Sequence, residues 1–158
     1  RTSRAFVPEP GQKTRRWAID TSIVLGALRH KHGACTQLLA TIDSTPGIQV
    51  VASTLLIAEC IDIHRDPEAR KQLEALLASP TIAWVPVSRA LAIRARQLGR
   101  DYAPLKGADA VHLACAIVAR AEVLFAKDGD FAKVFGQSID GTMVLPPDQL
   151  PGQQILQH

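Results

Sequence analysis

Four acidic residues stand where a soluble chain gains little from an isolated charge. Asp20 follows the apolar stretch WAI (17–19), and Glu59 lies inside LLIAECI (55–61). Asp109 lies inside ADAVHLACAI (108–117), and Asp128 follows EVLFA (122–126) by one lysine. Glu59 is the most demanding, because its neighbours along a helix include Leu55, Leu56 and Ile63. A carboxylate there must be protonated, paired with a basic residue, or bound to a metal. Each acid also has a purely structural use: Asp20 as a helix cap, Asp109 as a cap or a partner of Lys106, Asp128 as a turn residue in KDGD. Few basic residues lie close in sequence to neutralise them. Clustered carboxylate oxygens suit a hard divalent cation, so the four acids read together as a Mg²⁺ or Mn²⁺ site.

The acids meet only if the elements around them bring them to one place. WAI reads as a strand running into Asp20, followed by a helix over SIVLGALRH and a second over CTQLLATID. IQVVA is a β-branched strand, after which Ser53 or Thr54 caps a helix over LLIAECIDIH. Asp66 and Pro67 start another helix, TIAWVPV is a third strand, and Ser88 opens the helix RALAIRARQLGR. LKGADAVHLACAIVARA is the last long helix, EVLFA the fourth strand, and GDFAKVF a short helical turn. GTMVLPPDQL reads as a terminal edge strand ended by its prolines.

Strands alternating with helices imply an α/β fold, a three-layer α/β/α sandwich around a parallel sheet of four or five strands. The first, second and fourth strands are expected near its centre. In such sheets sites form beyond the carboxyl ends of the strands. Asp20 directly follows the first strand and Asp128 follows the fourth by two residues, and Glu59 and Asp109 lie in helices that border the same edge.

Composition sets the outer bounds. The 158 residues suffice for one domain with its own core, and 47% hydrophobic with 21% charged residues is ordinary for a globular protein. No apolar run approaches the ~20 residues of a membrane span. The formal net charge is +3, but residues 1–16 hold five basic residues against Glu9, leaving the other 142 residues at −1. This basic, aperiodic stretch is expected to be a disordered leader or linker (1–16), ahead of a domain over 17–150 and a tail over 151–158. Cys35, Cys60 and Cys115 are an odd set without CxxC spacing. Cys60 and Cys115, in apolar helical contexts, read as buried thiols in a reducing cytosol and the set not as a zinc site, so a cytoplasmic location is expected.

IDTS at 19–22, Glu59 in LLIAECI, ADAVHLACAI at 108–117 and LFAKDGDF at 124–131 together resemble the PIN domain, notably its VapC-like branch, over about residues 17–150. The resemblance implies a metal-dependent ribonuclease in which Asp20, Glu59, Asp109 and Asp128 hold Mg²⁺ or Mn²⁺, supported by Ser22. Two features depart from the family pattern. Ala126 stands where a Thr or Ser usually precedes the last acid by two residues, which leaves Asp130 as an alternative ligand to Asp128. The leader also precedes a first strand that in this branch usually lies almost at the chain start. His112, three residues after Asp109, reads as a packed or core-satisfying residue.

Residues 89–106 carry Arg89, Arg94, Arg96, Arg100 and Lys106 against Asp101. They form either a solvated helix face or a ridge that tracks phosphates through Arg96, Arg100 and Lys106. With 4% aromatic residues, base stacking is expected to be minor. Implied partners are an RNA substrate, an antitoxin protein and a second copy paired through the first two helices; no membrane is expected. The resemblance thus implies an endoribonuclease, as the toxin of a toxin–antitoxin pair. The alternative is a catalytically degenerate domain that binds RNA or protein. A haloacid-dehalogenase-like phosphatase ranks lower, because DTS offers one acid where that class requires DxD.

Overall fold

The computed structural model describes residues 10–11, 13–127 and 129–152. Residues 1–9 and 12 of the expected leader and 153–158 of the expected tail therefore lie outside the described residues. Six strands, β1 (Arg15–Ile19), β2 (Ile48–Ser53), β3 (Ile82–Val85), β4 (Val123–Phe125), β5 (Ser138–Ile139) and β6 (Thr142–Leu145), form one sheet in the order β3-β2-β1-β4-β6-β5. All neighbours are parallel except β5 and β6. The helices are α1 (Thr21–Leu28), α2 (Gly33–Ser44), α3 (Leu55–Glu59), α4 (Pro67–Leu77), α5 (Arg89–Asp101) and α6 (Ala108–Val118).

Strand alternation divides the core into two layers. Trp17, Ile19, Val50, Ala52, Val123 and Phe125 face α1 to α4, whereas Ala18, Val51 and Leu124 face α5 and α6. This is the expected three-layer α/β/α sandwich, with β1, β2 and β4 in the inner part of the sheet. Local start signals act as the sequence implies. Asp66 accepts from the N–H groups of Glu68 (3.0 Å) and Ala69 (3.2 Å), with Pro67 at the first turn of α4. The Ser88 hydroxyl accepts from Leu91 N–H (3.1 Å) at the start of α5.

Four expectations need correction. The sheet has six strands, not four or five, and it is mixed. β6 is not an edge strand, because β5 pairs with it in antiparallel fashion across Asp140 and Gly141, both at positive φ (49° and 88°). An Asp-Gly pair in that conformation is the two-residue hairpin turn that suits strand twist. β6 does stop before Pro146, as its prolines require. Finally, the helix begun at Leu55 does not continue to His64; after Glu59 it tightens into a 3-10 helix over Cys60–Arg65. Proline at position 67 disfavours helical backbone at Asp66, so the chain must leave the α-helix before α4 can start. β1 also begins at Arg15, two residues before WAI.

Candidate active site

The carboxyl ends of β1 and β2 and the start of α6 bring Asp20, Glu59 and Asp109 to one edge. Asp20 emerges directly after β1, and its N–H donates to the Phe125 carbonyl at the end of β4 (3.1 Å). The residue is only 4% exposed; it occupies the N-cap position of α1, and the first-turn Ile23 backbone steadies its charge only weakly, as the last of the influences on it. Its partner is the Ser22 hydroxyl, which donates to Oδ1 at 2.5 Å. The Ser22 oxygen in turn accepts from the Lys127 N–H just beyond β4 (2.9 Å). Ser22 thus links the first acid to the end of the fourth strand, where Ala126 carries no hydroxyl of its own.

Glu59 ends α3, half-buried, and is held from two sides. The Thr21 hydroxyl donates to Oε1 (2.7 Å), and His112 Nε2 lies 2.6 Å from the same oxygen. Since an ionised carboxylate only accepts, Nε2 carries the proton and donates. His112 Nε2 is also 3.2 Å from Thr21 Oγ1, while buried Nδ1 has no partner among the described residues. The basic partner that a carboxylate on an apolar helix demands is therefore this histidine, as the core-satisfying reading of His112 allows. Thr21 was missed as a holder of Glu59. Its only sequence signal is its place between Asp20 and Ser22.

Asp109 lies in the first turn of α6, half-buried. Gly107 precedes the helix at φ 52°, ψ −117°, a conformation open to glycine and strained for other residues. No hydrogen bond or ion pair holds the Asp109 side chain among the described residues, so it is not a partner of Lys106; its backbone N–H donates to the Lys106 carbonyl (3.2 Å). Asp130 is exposed on the 3-10 helix Gly129–Val134 and pairs with Lys133 at 3.6 Å. Asp128 lies outside the described residues.

The charges respond to this crowding. Burial lifts the Asp20 carboxyl to about 6, with the Asp109 charge adding to the rise and the Ser22 hydrogen bond and His112 opposing it. Burial also raises Asp109, reinforced by the charges of Asp130 and Glu59 and opposed by His112. Glu59 is lowered, chiefly by the hydrogen bond from His112 and further by Thr21, against the cost of burial. Burial raises the Cys60 thiol to about 11 and the Cys115 thiol to about 12, and all three cysteines are buried and outside any disulfide.

Among the described residues, no three His, Cys, Asp or Glu side chains gather closely enough to hold a metal ion. The donors nevertheless fit a hard cation in kind. Among the described residues Asp20 and Asp109 are carboxylates without an ion pair, each disfavoured as a bare anion, and Mg²⁺ commonly takes one or two carboxylates and fills its shell with water and phosphate. Arg96, Arg100 and Lys106 are all exposed, whereas Arg94 is engaged by Asp140.

An α/β sandwich with acids at the carboxyl edge of its central strands is the class that fold and site define. The profile of the PIN domain family matches residues 18–136, and the chain belongs to this family. Solved structures share the fold. VapBC2 from Rickettsia felis, bound to a DNA fragment from its promoter, superposes with a TM-score of 0.59 at 13% identity, covering 83% of this chain and 98% of that one. A toxin–antitoxin complex from Klebsiella pneumoniae gives 0.61 at 25% identity, over 84% and 98%. Mycobacterium tuberculosis VapC20, described as a sarcin–ricin loop cleaving toxin, gives 0.57 at 24% identity, over 74% and 93%. No curated protein matches the chain. Among the described residues no helix is long and apolar enough to cross a membrane.

Proposed function

We propose that this chain is a Mg²⁺- or Mn²⁺-dependent endoribonuclease that hydrolyses RNA phosphodiester bonds, as the toxin of a toxin–antitoxin pair. The observation that carries this reading is Asp20: a buried carboxylate whose side-chain partner is Ser22 and which feels the charge of Asp109, itself without an ion pair among the described residues. A fold gains no stability from such a pair, and a cation that binds it relieves the repulsion. Membership of the PIN family and the likeness to the Klebsiella pneumoniae toxin–antitoxin complex support the same reading.

Asp20 and Asp109 would hold the ion, with Asp128 or Asp130 as a further donor. Bound there, Mg²⁺ or Mn²⁺ supplies an activated water and neutralises charge on the phosphodiester. Ser22 orients the Asp20 carboxylate. Glu59, kept ionised by His112 and Thr21, is a poor general base and serves as a fixed acceptor that orients a water. Arg96, Arg100 and Lys106 offer the positive surface along which a polyanion approaches this negative edge. An antitoxin partner, a cytoplasmic location and a homodimer paired through α1 and α2 complete the proposal.

One alternative has its own support. Ala126 removes a hydroxyl beside the acids, and no three-ligand group is assembled among the described residues, as in a degenerate domain that binds RNA or protein without cutting. Incubation of a single-stranded RNA with the purified chain separates the two. The nuclease reading expects fragments in Mn²⁺ and none in EDTA; intact RNA in both conditions, with RNA still bound, establishes the binding module.

A further inference from the structure

A cavity of about 400 Å³ opens between α5 and α6, beside the acids but not built from them. Ala92, Ala95 and Gly99 of α5 and Ala110 of α6 wall it, and Arg96 and Lys106 are its cations. At Gly99 the close approach of the chain requires glycine. A Cβ on Gly99 would fall 2.9 Å from the Leu105 carbonyl oxygen and 3.8 Å from Ala110 Cβ, so the chain there is already in contact. The walls are apolar and, among the described residues, include neither an acid nor an aromatic ring. A flat, largely apolar group tethered to phosphates matches this lining, and the volume lies at the lower end of small-molecule sites.

A second depression of about 310 Å³ is bordered by Ala103, Pro104, Lys106, Asp130 and Lys133. Lys106 belongs to both, and the hydrogen bond from Asp109 N–H to its carbonyl ties their junction to the first turn of α6. The charge of Asp130 felt by Asp109 agrees with that closeness. We propose that the α5–α6 groove is a nucleobase subsite for single-stranded RNA beside the acid edge, with Lys106 engaging the phosphate between the two depressions. The choice of RNA rests on the ribonuclease reading above. The base packs on the alanine walls and against the Arg96 guanidinium, which stacks on bases as aromatic rings do elsewhere.

The test is binding of a short, mixed-sequence RNA strand by the whole chain in EDTA, read by fluorescence anisotropy at several salt concentrations. A matching abasic ribose–phosphate strand serves as comparison. Ala92 is exposed on α5, so Ala92→Leu keeps the helix while filling the groove. The parent should prefer the base-bearing strand. Ala92→Leu should lose about tenfold in affinity for it, the value of one base contact, with the salt slope and abasic binding unchanged. Ala90→Leu, on the same helix but outside the cavity, should behave as the parent. Lys106→Ala should weaken both strands and lower the salt slope by about one. A parent indifferent to the bases, or Ala92→Leu binding RNA as the parent does, overturns the subsite. Cleavage of the same strand by the parent in Mn²⁺ reports separately on the nuclease reading, whose failure leaves base-selective binding intact.

Discussion

Asp20 is the residue at which the cost of the site is most visible. Its carboxyl is neutral at low pH in the native state, and ionising it in a buried place is unfavourable. Because its folded pKa of about 6 lies above the unfolded 3.8, its contribution to stability is fully present below pH 3.8 and is lost as pH rises through 6. By linkage the loss amounts to roughly 3 kcal/mol. Glu59 acts with the opposite sign: lowered in the fold, it stabilises above its unfolded value of 4.5, and that contribution disappears as the solution is acidified. Urea unfolding of the metal-free protein should therefore show stability falling between pH 4 and 6.5, and Asp20→Asn should flatten that decline. An unchanged slope in the variant would assign the decline to other groups. Much of this was legible, since Glu59 among Leu55, Leu56 and Ile63 announces a carboxylate in need of a partner. The identity of that partner was not, because Thr21 and His112 lie 38 and 53 residues away and only the fold brings them to Oε1.

At the scale of elements, the glycine before α6 decides where Asp109 stands. A side chain at position 107 meets no neighbour within 4 Å, so Gly107→Ala tests backbone strain alone. It should cost about 1–3 kcal/mol, read as a lower unfolding midpoint, while Mn²⁺ binding weakens as the first turn of α6 shifts. Full stability in that variant would show that α6 starts without the strained turn. Along α5, Arg94 is already engaged by Asp140, which leaves Arg96, Arg100 and Lys106 for a polyanion. Replacing these three with alanine should weaken RNA binding and reduce its salt slope by up to about three; binding with the same slope would leave them as ordinary surface charge. Elements with local signals were readable in advance: the Asp66–Pro67 start and the Ser88 cap. Those set by competition between neighbours were not. The turn to a 3-10 helix at Cys60 depends on α4 needing its own start, and a two-residue strand such as β5 carries too short a pattern to read. Its Asp140–Gly141 turn was nonetheless present as a hairpin signal.

For the whole molecule, the parallel order and the shared edge follow from strands and helices alternating along the chain, while the six-strand count depends on pairing that periodicity does not encode. The expected pairing of two copies rests on α1 and α2. The sheet face already buries Leu38, and Leu25, Leu28 and Leu39 pack partly against the same core, so the surface left for a partner is smaller than their number suggests. Sedimentation at tens of micromolar should still give a dimer, and a monomer there would remove that proposal without touching the site. The central claim is that the acids at the sheet edge hold a divalent cation. It is tested most directly by thermal unfolding of the parent, Asp20→Asn and Asp109→Asn with and without Mn²⁺. Asn keeps the shape and removes the charge, so both variants should be folded and, without metal, at least as stable as the parent. Mn²⁺ at a hundredfold excess over its Kd should stabilise the parent by about 2.7 kcal/mol, and most of that shift should vanish in the variants. A parent that Mn²⁺ never stabilises, with variants that unfold outright, would contradict the account and make these acids structural.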